Sequence, residues 1–162
     1  MSEVPELLER LRRGAEMVAV SITGAAGSEL DYTPEPGKWS IRQIVAHLSD
    51  SEMVAGMRLR RIIAEDNPKI EAYDQNAWAV NLDYTRRKTS PALETFRRTR
   101  AENYELLKDL ALPVFDRAGQ HSERGPMSLK LLLQLIAEHA ENHAAQIRIR
   151  RAEFKAQKAA TK

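Results

Sequence analysis

His139 and His143 stand four residues apart in the stretch EHAENHAAQ at 138–146. On an α-helix that spacing puts both imidazoles on one face, about one turn apart. At about 100° per residue they fall within about 60° of Leu132, together with Ile136 and Ile147. The pair therefore lies inside an apolar stripe. Neutral imidazoles turned into a core cost free energy unless each finds a hydrogen-bond partner. A divalent metal ion satisfies both lone pairs at once, and the i, i+4 pair is the clamp that HExxH sites use. The plainer reading, two hydrogen-bonded core histidines, is carried beside it.

The intervening Ala140, Glu141 and Asn142 depart from HExxH. Glu141 follows His139 by two residues, which turns it about 200° away, so it is no general base beside such an ion. His47 offers a third ligand from the edge of another apolar helix face. Asp50 and Ser51, three and four residues on, are candidates to orient it. His121 falls in a loop, and loops position ligands less rigidly than helices do.

Four amphipathic segments must carry these residues. The first runs over 5–22, with Leu7, Leu8, Leu11, Ala15 and Val18 on one stripe and Gly24 and Gly27 behind it. The second starts at a capping box, Ser40 with Gln43, and ends at Asn67-Pro68. The third starts with Ser90 as N-cap and Pro91 at the first helical position and runs to about Leu110. The fourth runs from about Ser128 to about Lys155. The connection over 68–87 is long for a compact domain, so it is functional or holds a short helix capped by Asp74 and running through Trp78. Residues 113–127 read as a further loop, and no strand pattern is visible. Four such helices predict an all-α four-helix bundle.

The 162 residues suit one domain, 1–162, with a basic, frayed tail from about 156. There is no cysteine, hence no disulfide and no thiolate ligand or nucleophile; any thiol chemistry needs a thiol from outside. No apolar run reaches the roughly 20 residues that span a bilayer, and the start of the chain lacks the apolar core of a secretory signal. A cytoplasmic protein with no membrane partner is expected. A net charge of +2 does not call for nucleic acid. Arg58, Arg60, Arg61 and the basic run over 148–162 could meet phosphates, although solvated helix faces explain such charges more simply.

The stretches KWSIRQIVAHLSDSE at 38–52 and SLKLLLQLIAEHAENHAAQI at 128–147, with YDQNAWA and ALETFRRTRAENYELL between them, resemble the DinB-like (DinB/YfiT-like) superfamily of metalloenzymes. The resemblance implies a four-helix bundle with a long crossover. It also implies a divalent metal held by His47, His139 and His143, and a homodimer. Relatives of this type include low-molecular-weight-thiol S-transferases and a thiol-dependent isomerase, so it further implies a thiol as cosubstrate. Nothing here points to the DNA polymerase that shares the name.

Three imidazoles without carboxylate or thiolate suit zinc, nickel or iron and leave a coordination position open. Thiol transfer to a small-molecule electrophile is the favoured chemistry, by likeness alone. Metal-dependent hydrolysis is the alternative and would need a base, for which Asp50, Glu52 and Asp74 are candidates. A reading of another class is a non-catalytic bundle in which the metal merely staples helices together. Tyr73 and Trp78 are candidates to line a pocket, against the plainer role of pinning a long loop to the bundle.

Overall fold

The computed structural model describes residues 3–161. Its order is α1 (Val4–Ile22), α2 (Ser28–Asp31), α3 (Ile41–Ala64), β1 (Lys69–Ile70), α4 (Gln75–Asn81), α5 (Thr89–Leu107), β2 (Ala118–His121), β3 (Gly125–Ser128) and α6 (Leu129–Ala160). Single 3-10 turns lie at Tyr84–Arg86 and Leu112–Asp116. Helices α1, α3, α5 and α6 form the four-helix bundle. Helix α1 packs on α5 and α6, and so does α3. Chain neighbours α1 and α3 thus sit across a diagonal, as do α5 and α6. The long crossover between α3 and α5 holds β1, α4 and a 3-10 turn.

The helix starts follow from local chemistry. At α3, the Gln43 backbone N–H donates to Ser40 Oγ (3.3 Å), and the Ser40 N–H donates to Gln43 Oε1 (2.9 Å), a closed capping box. At α6, Ser128 Oγ accepts from the Leu131 N–H at 3.1 Å. Asp74 accepts from the Asn76 and Ala77 N–H groups and starts α4. Helix α5 differs from expectation: Thr89 is its first residue and Lys88 its N-cap, with no side-chain cap. Pro91 still falls in the first turn, where its missing N–H costs nothing.

The segment over 113–127 is not simply a loop, and strands do exist. Strand β1 pairs parallel with β2, and β2 pairs antiparallel with β3. These strands have two to four residues, too few to show alternation, and GPMS reads as a turn. Gly119 makes the parallel pair possible, because a Cβ there would sit 2.7 Å from the Pro68 carbonyl oxygen.

The basic run that begins at Arg148 is not wholly solvated. Helix α6 continues to Ala160, and two of its basic residues hold the other end of the chain. Arg150 Nε donates to the Trp39 carbonyl (2.9 Å), and Arg151 donates to Glu29 and to the carbonyls of Ser21 and Thr23.

The apolar core comes in two blocks. One gathers Leu7, Leu11, Leu59, Ile62, Leu132 and Leu133; the other gathers Val18, Ile44, Leu48, Phe96, Ala144 and Ile147. Between them each bundle helix contributes small or polar residues: Gly14, Glu52, Arg100 with Asn103, and His139. The buried Glu52–Arg100–Asn103 cluster and His139 sit at this level.

Candidate metal centre

His47 on α3 and His139 and His143 on α6 meet at one edge of that middle layer. His139 Nε2 lies 2.9 Å from His47 Nε2 and 3.1 Å from His143 Nε2. One ligand nitrogen from each of the three falls within 4.8 Å of the others. His47 is fully buried and the other two are half-buried. Trp39 packs its ring 4.9 Å from that of His47 and backs it from the helix start.

Burial lowers all three pKa values. His47 is pushed down to about 3 by burial and by the neighbouring His143. His139 is pushed down to about 2 by burial first, then by His143, His47 and Arg100. Burial lowers His143 as well, against a hydrogen bond with Gln146. The rings are therefore neutral, with one donor and one acceptor nitrogen each.

Protons alone do not satisfy this cluster. His143 Nδ1 donates to Gln146 Oε1 at 2.8 Å, so its Nε2 is a bare lone pair aimed at His139. His47 Nδ1 is buried without a partner. If His47 Nε2 carries the proton, Nδ1 is an orphaned acceptor; if it does not, Nδ1–H is an orphaned donor. A cation facing the three Nε2 atoms removes the conflict among them. Two ligands at about 2.05 Å and tetrahedral angles lie about 3.3 Å apart, close to the spacing seen. The donor set fits a divalent ion with an open position.

A cavity of about 290 Å³ reaches His47 and His139. Ser51 and Tyr73 line it. Tyr73 packs against Trp78 with ring centroids 4.5 Å apart and the rings tilted by 47°, and Trp78 itself is not part of the lining. Asp74 is occupied as the cap of α4. Asp50 is buried and faces the crossover rather than His47: it accepts from Tyr84 Oη at 2.7 Å and from Arg87 at 3.2 Å. Ser51 Oγ donates to the Leu48 carbonyl. Glu141 points away to α1, where Arg10 donates to both of its oxygens at 2.9 and 2.7 Å. His121 lines the same cavity from β2 but stands outside the histidine cluster.

Two features were not anticipated from sequence. Gln146 orients His143, and its i+3 spacing on α6 is the signal that could have found it. Arg58 and Arg124 line the cavity; in the sequence Arg58 reads as a phosphate contact or a solvated charge, not as part of a pocket.

A helical bundle with imidazoles converging from facing helices defines the general class, a bundle metalloprotein. Residues 7–147 match the family described as the DinB superfamily, and the chain belongs to it. Two relatives bear the name "Putative metal-dependent hydrolase". One, from Oceanobacillus iheyensis, is 34% identical over 74% of this chain and 69% of its own length. The other, YfiT of Bacillus subtilis, is 31% identical over 74% and 68%. A solved structure is described as "YfiT from Bacillus subtilis is a probable metal-dependent hydrolase with an unusual four-helix bundle topology". It superposes with a TM-score of 0.88 at 25% identity, over 96% of this chain and 90% of that one. Among the described residues no helix is long and apolar enough to cross a membrane.

Proposed function

We propose that the chain is a metal-dependent enzyme acting on a small molecule in the cavity beside His47 and His139, with His47, His139 and His143 as the ligands. One observation carries the reading: three neutral imidazoles turn Nε2 atoms toward each other without enough protons to satisfy them. A bound divalent ion, zinc, nickel or iron, would supply Lewis acidity and lower the pKa of a water or thiol that reaches it.

The chain's own residues favour the thiol as nucleophile. The three acids that the sequence offers as a base for water are committed elsewhere: Asp50 to Tyr84 and Arg87, Glu52 to Arg100 and Asn103, Asp74 to the cap of α4. A free thiol ionises near pH 8.5, about seven units below bulk water, and needs a resident base far less. In the transfer the thiol sulfur attacks an electrophilic carbon and a C–S bond forms. The leaving group departs with its electron pair, and the thiol proton passes to solvent. Gln146 keeps the His143 lone pair facing inward, and Tyr73 in the cavity wall limits the substrate's approach.

Hydrolysis is the second reading, favoured by the names of the relatives. The homodimer belongs to the same proposal and is checked by sedimentation.

The test starts with elemental analysis of tag-free protein. About one ion per chain in wild type, lost in His139→Ala, is expected. No ion after reconstitution with zinc, nickel or iron sinks the reading. Loaded protein is then given electrophiles with and without a low-molecular-weight thiol. Thiol-dependent turnover supports transfer; turnover without thiol supports hydrolysis.

A further inference from the structure

The cavity has two chemically different ends. One reaches the histidine cluster. At the other, Arg58 from α3, Arg124 from the β2–β3 turn and His121 from β2 come together. The side walls are apolar, from Leu132, Leu135 and Met127.

The two arginines face the cavity without a carboxylate partner. Arg58 is half-buried, yet its hydrogen-bond partner is the Glu71 carbonyl oxygen (2.6 Å), and Tyr73 lies 5.8 Å below its guanidinium. Among the described residues, neither Arg58 nor Arg124 forms an ion pair with a carboxylate, although thirteen ion pairs stitch the rest of the molecule. Burial lowers the pKa of Arg58, Tyr73 opposes that, and Arg124 adds to it; an anion between the two cations would relieve both costs. His121 adds a donor. Its Nδ1 accepts from the Glu123 and Arg124 N–H groups at 3.2 and 3.3 Å, so in the neutral ring the proton sits on Nε2. Burial, Arg58 and Arg124 all lower its pKa, against Glu123 and Glu71.

Taken as the substrate site, this cavity selects for charge: we propose that it binds small molecules carrying a carboxylate, with the carboxylate on Arg58 and Arg124 and the reacting end toward the histidines. The proposal rests on the metal-dependent reading only for what happens at the histidine end. A planar guanidinium pairs with a carboxylate through two parallel hydrogen bonds. Glu123 lines the same end, and its negative charge favours a singly charged carboxylate over a phosphate dianion.

The probes are 4-methylbenzoate and its neutral isostere 4-methylbenzamide, titrated by NMR into protein stripped with EDTA and into zinc-loaded protein. The acid is expected to bind about tenfold more tightly than the amide in the stripped protein, from one charge-assisted pair. Stripping removes any pairing of the carboxylate with a metal, so the preference then reports on the arginines. Arg58→Gln should abolish the preference, Arg124→Gln should reduce it about threefold, and Arg58→Lys should keep part of it. Thermal unfolding checks each variant. If Arg58→Gln does not fold, the acid-to-amide ratio in wild type and in Arg124→Gln decides. Equal affinities in stripped wild type, no binding of the acid, or a preference that survives Arg58→Gln overturns the proposal. Loss of metal in His139→Ala with the preference intact supports both readings and separates the two ends of the cavity. Wild type that takes up no zinc, nickel or iron on reconstitution, but keeps the preference for the acid, would sink the enzyme reading and leave the carboxylate site standing.

Discussion

Two polar clusters occupy the middle layer of the bundle, and they solve burial in opposite ways. In the first, Arg100 (1% exposed) faces Glu52 (2% exposed). Arg100 donates from Nε (3.1 Å) and Nη2 (2.7 Å) to one Glu52 oxygen and from Nη2 to the Ile136 carbonyl, while Asn103 donates to the other Glu52 oxygen. The guanidinium lies 4.8 Å from the centre of the Phe96 ring. Nearly all its polar capacity is consumed within the protein; only Arg100 Nη1 lacks a partner. In the second cluster, three histidines aim nitrogens at one another and run out of protons. The first cluster is a closed internal bond and the second is an open request for a cation. Burial of polar groups alone does not mark a site; convergent, unsatisfied capacity next to a cavity does.

The largest expected difference comes from breaking the closed cluster. Arg100→Met leaves Glu52 as an uncompensated buried charge and should cost about 3–5 kcal/mol. For a chain of this size that is a fall of roughly 10 °C in Tm, read by calorimetry. The double variant Glu52→Leu with Arg100→Met should recover most of that loss, because a well-packed apolar pair replaces a buried ion pair at little cost. If Arg100→Met removes metal without lowering Tm, the two clusters are one unit and the comparison fails.

Breaking the open cluster should do the reverse. Gln146→Leu frees the His143 ring without touching the core and should weaken metal affinity about 10–100-fold. Its metal-free Tm should match that of metal-free wild type. Competition against a chelator measures the first, and a thermal melt in EDTA the second.

How much of this contrast was readable beforehand depended on range. The histidine pair is an i, i+4 feature of one helix, and the caps at Ser40, Asp74 and Ser128 are equally local; all are visible in the letters. Glu52 and Arg100 lie on different helices, 48 residues apart, and nothing local announces their pairing, so Glu52 read as a candidate base. The three short strands had no alternation to read. Arg150 and Arg151 looked like a solvated tail because their partners, Trp39, Ser21, Thr23 and Glu29, lie more than 100 residues away. Asp50 sits at the spacing that would serve His47, but a buried Tyr84 hydroxyl from the crossover takes its oxygen instead.

Gly14 tests how tightly the closed cluster is fitted. A Cβ at this position of α1 would run into Arg100 Nη1 and lie 3.1 Å from Ala140 Cβ. Gly14→Ala gains helix propensity, worth up to about 1 kcal/mol, yet overpacking typically costs about 1–3 kcal/mol. Because Arg100 is held on two sides, the cost should win, with a net loss of about 1 kcal/mol in urea unfolding. A stabilised variant would mean that the guanidinium has room to move and that the cluster is looser than its hydrogen bonds suggest.

The smallest effect expected is at Glu141, and it bears most directly on chemistry. This carboxylate stands between the two histidines of α6 in sequence and across the helix from them in space. It is bound to Arg10 at a half-buried edge, with 28% and 26% of the two side chains exposed. Arg10 holds its pKa below the usual carboxylate value, burial opposing. Glu141→Gln keeps the shape and removes the charge. A pair of this kind is worth under about 1 kcal/mol, so stability should change by no more than that, and metal content should not change. A general base is worth about 10²–10⁴ in rate. Turnover that holds within about twofold of wild type therefore keeps Glu141 out of the chemistry. A fall of two orders of magnitude would put it back, and the α6 pair would then work like a protease clamp despite its geometry.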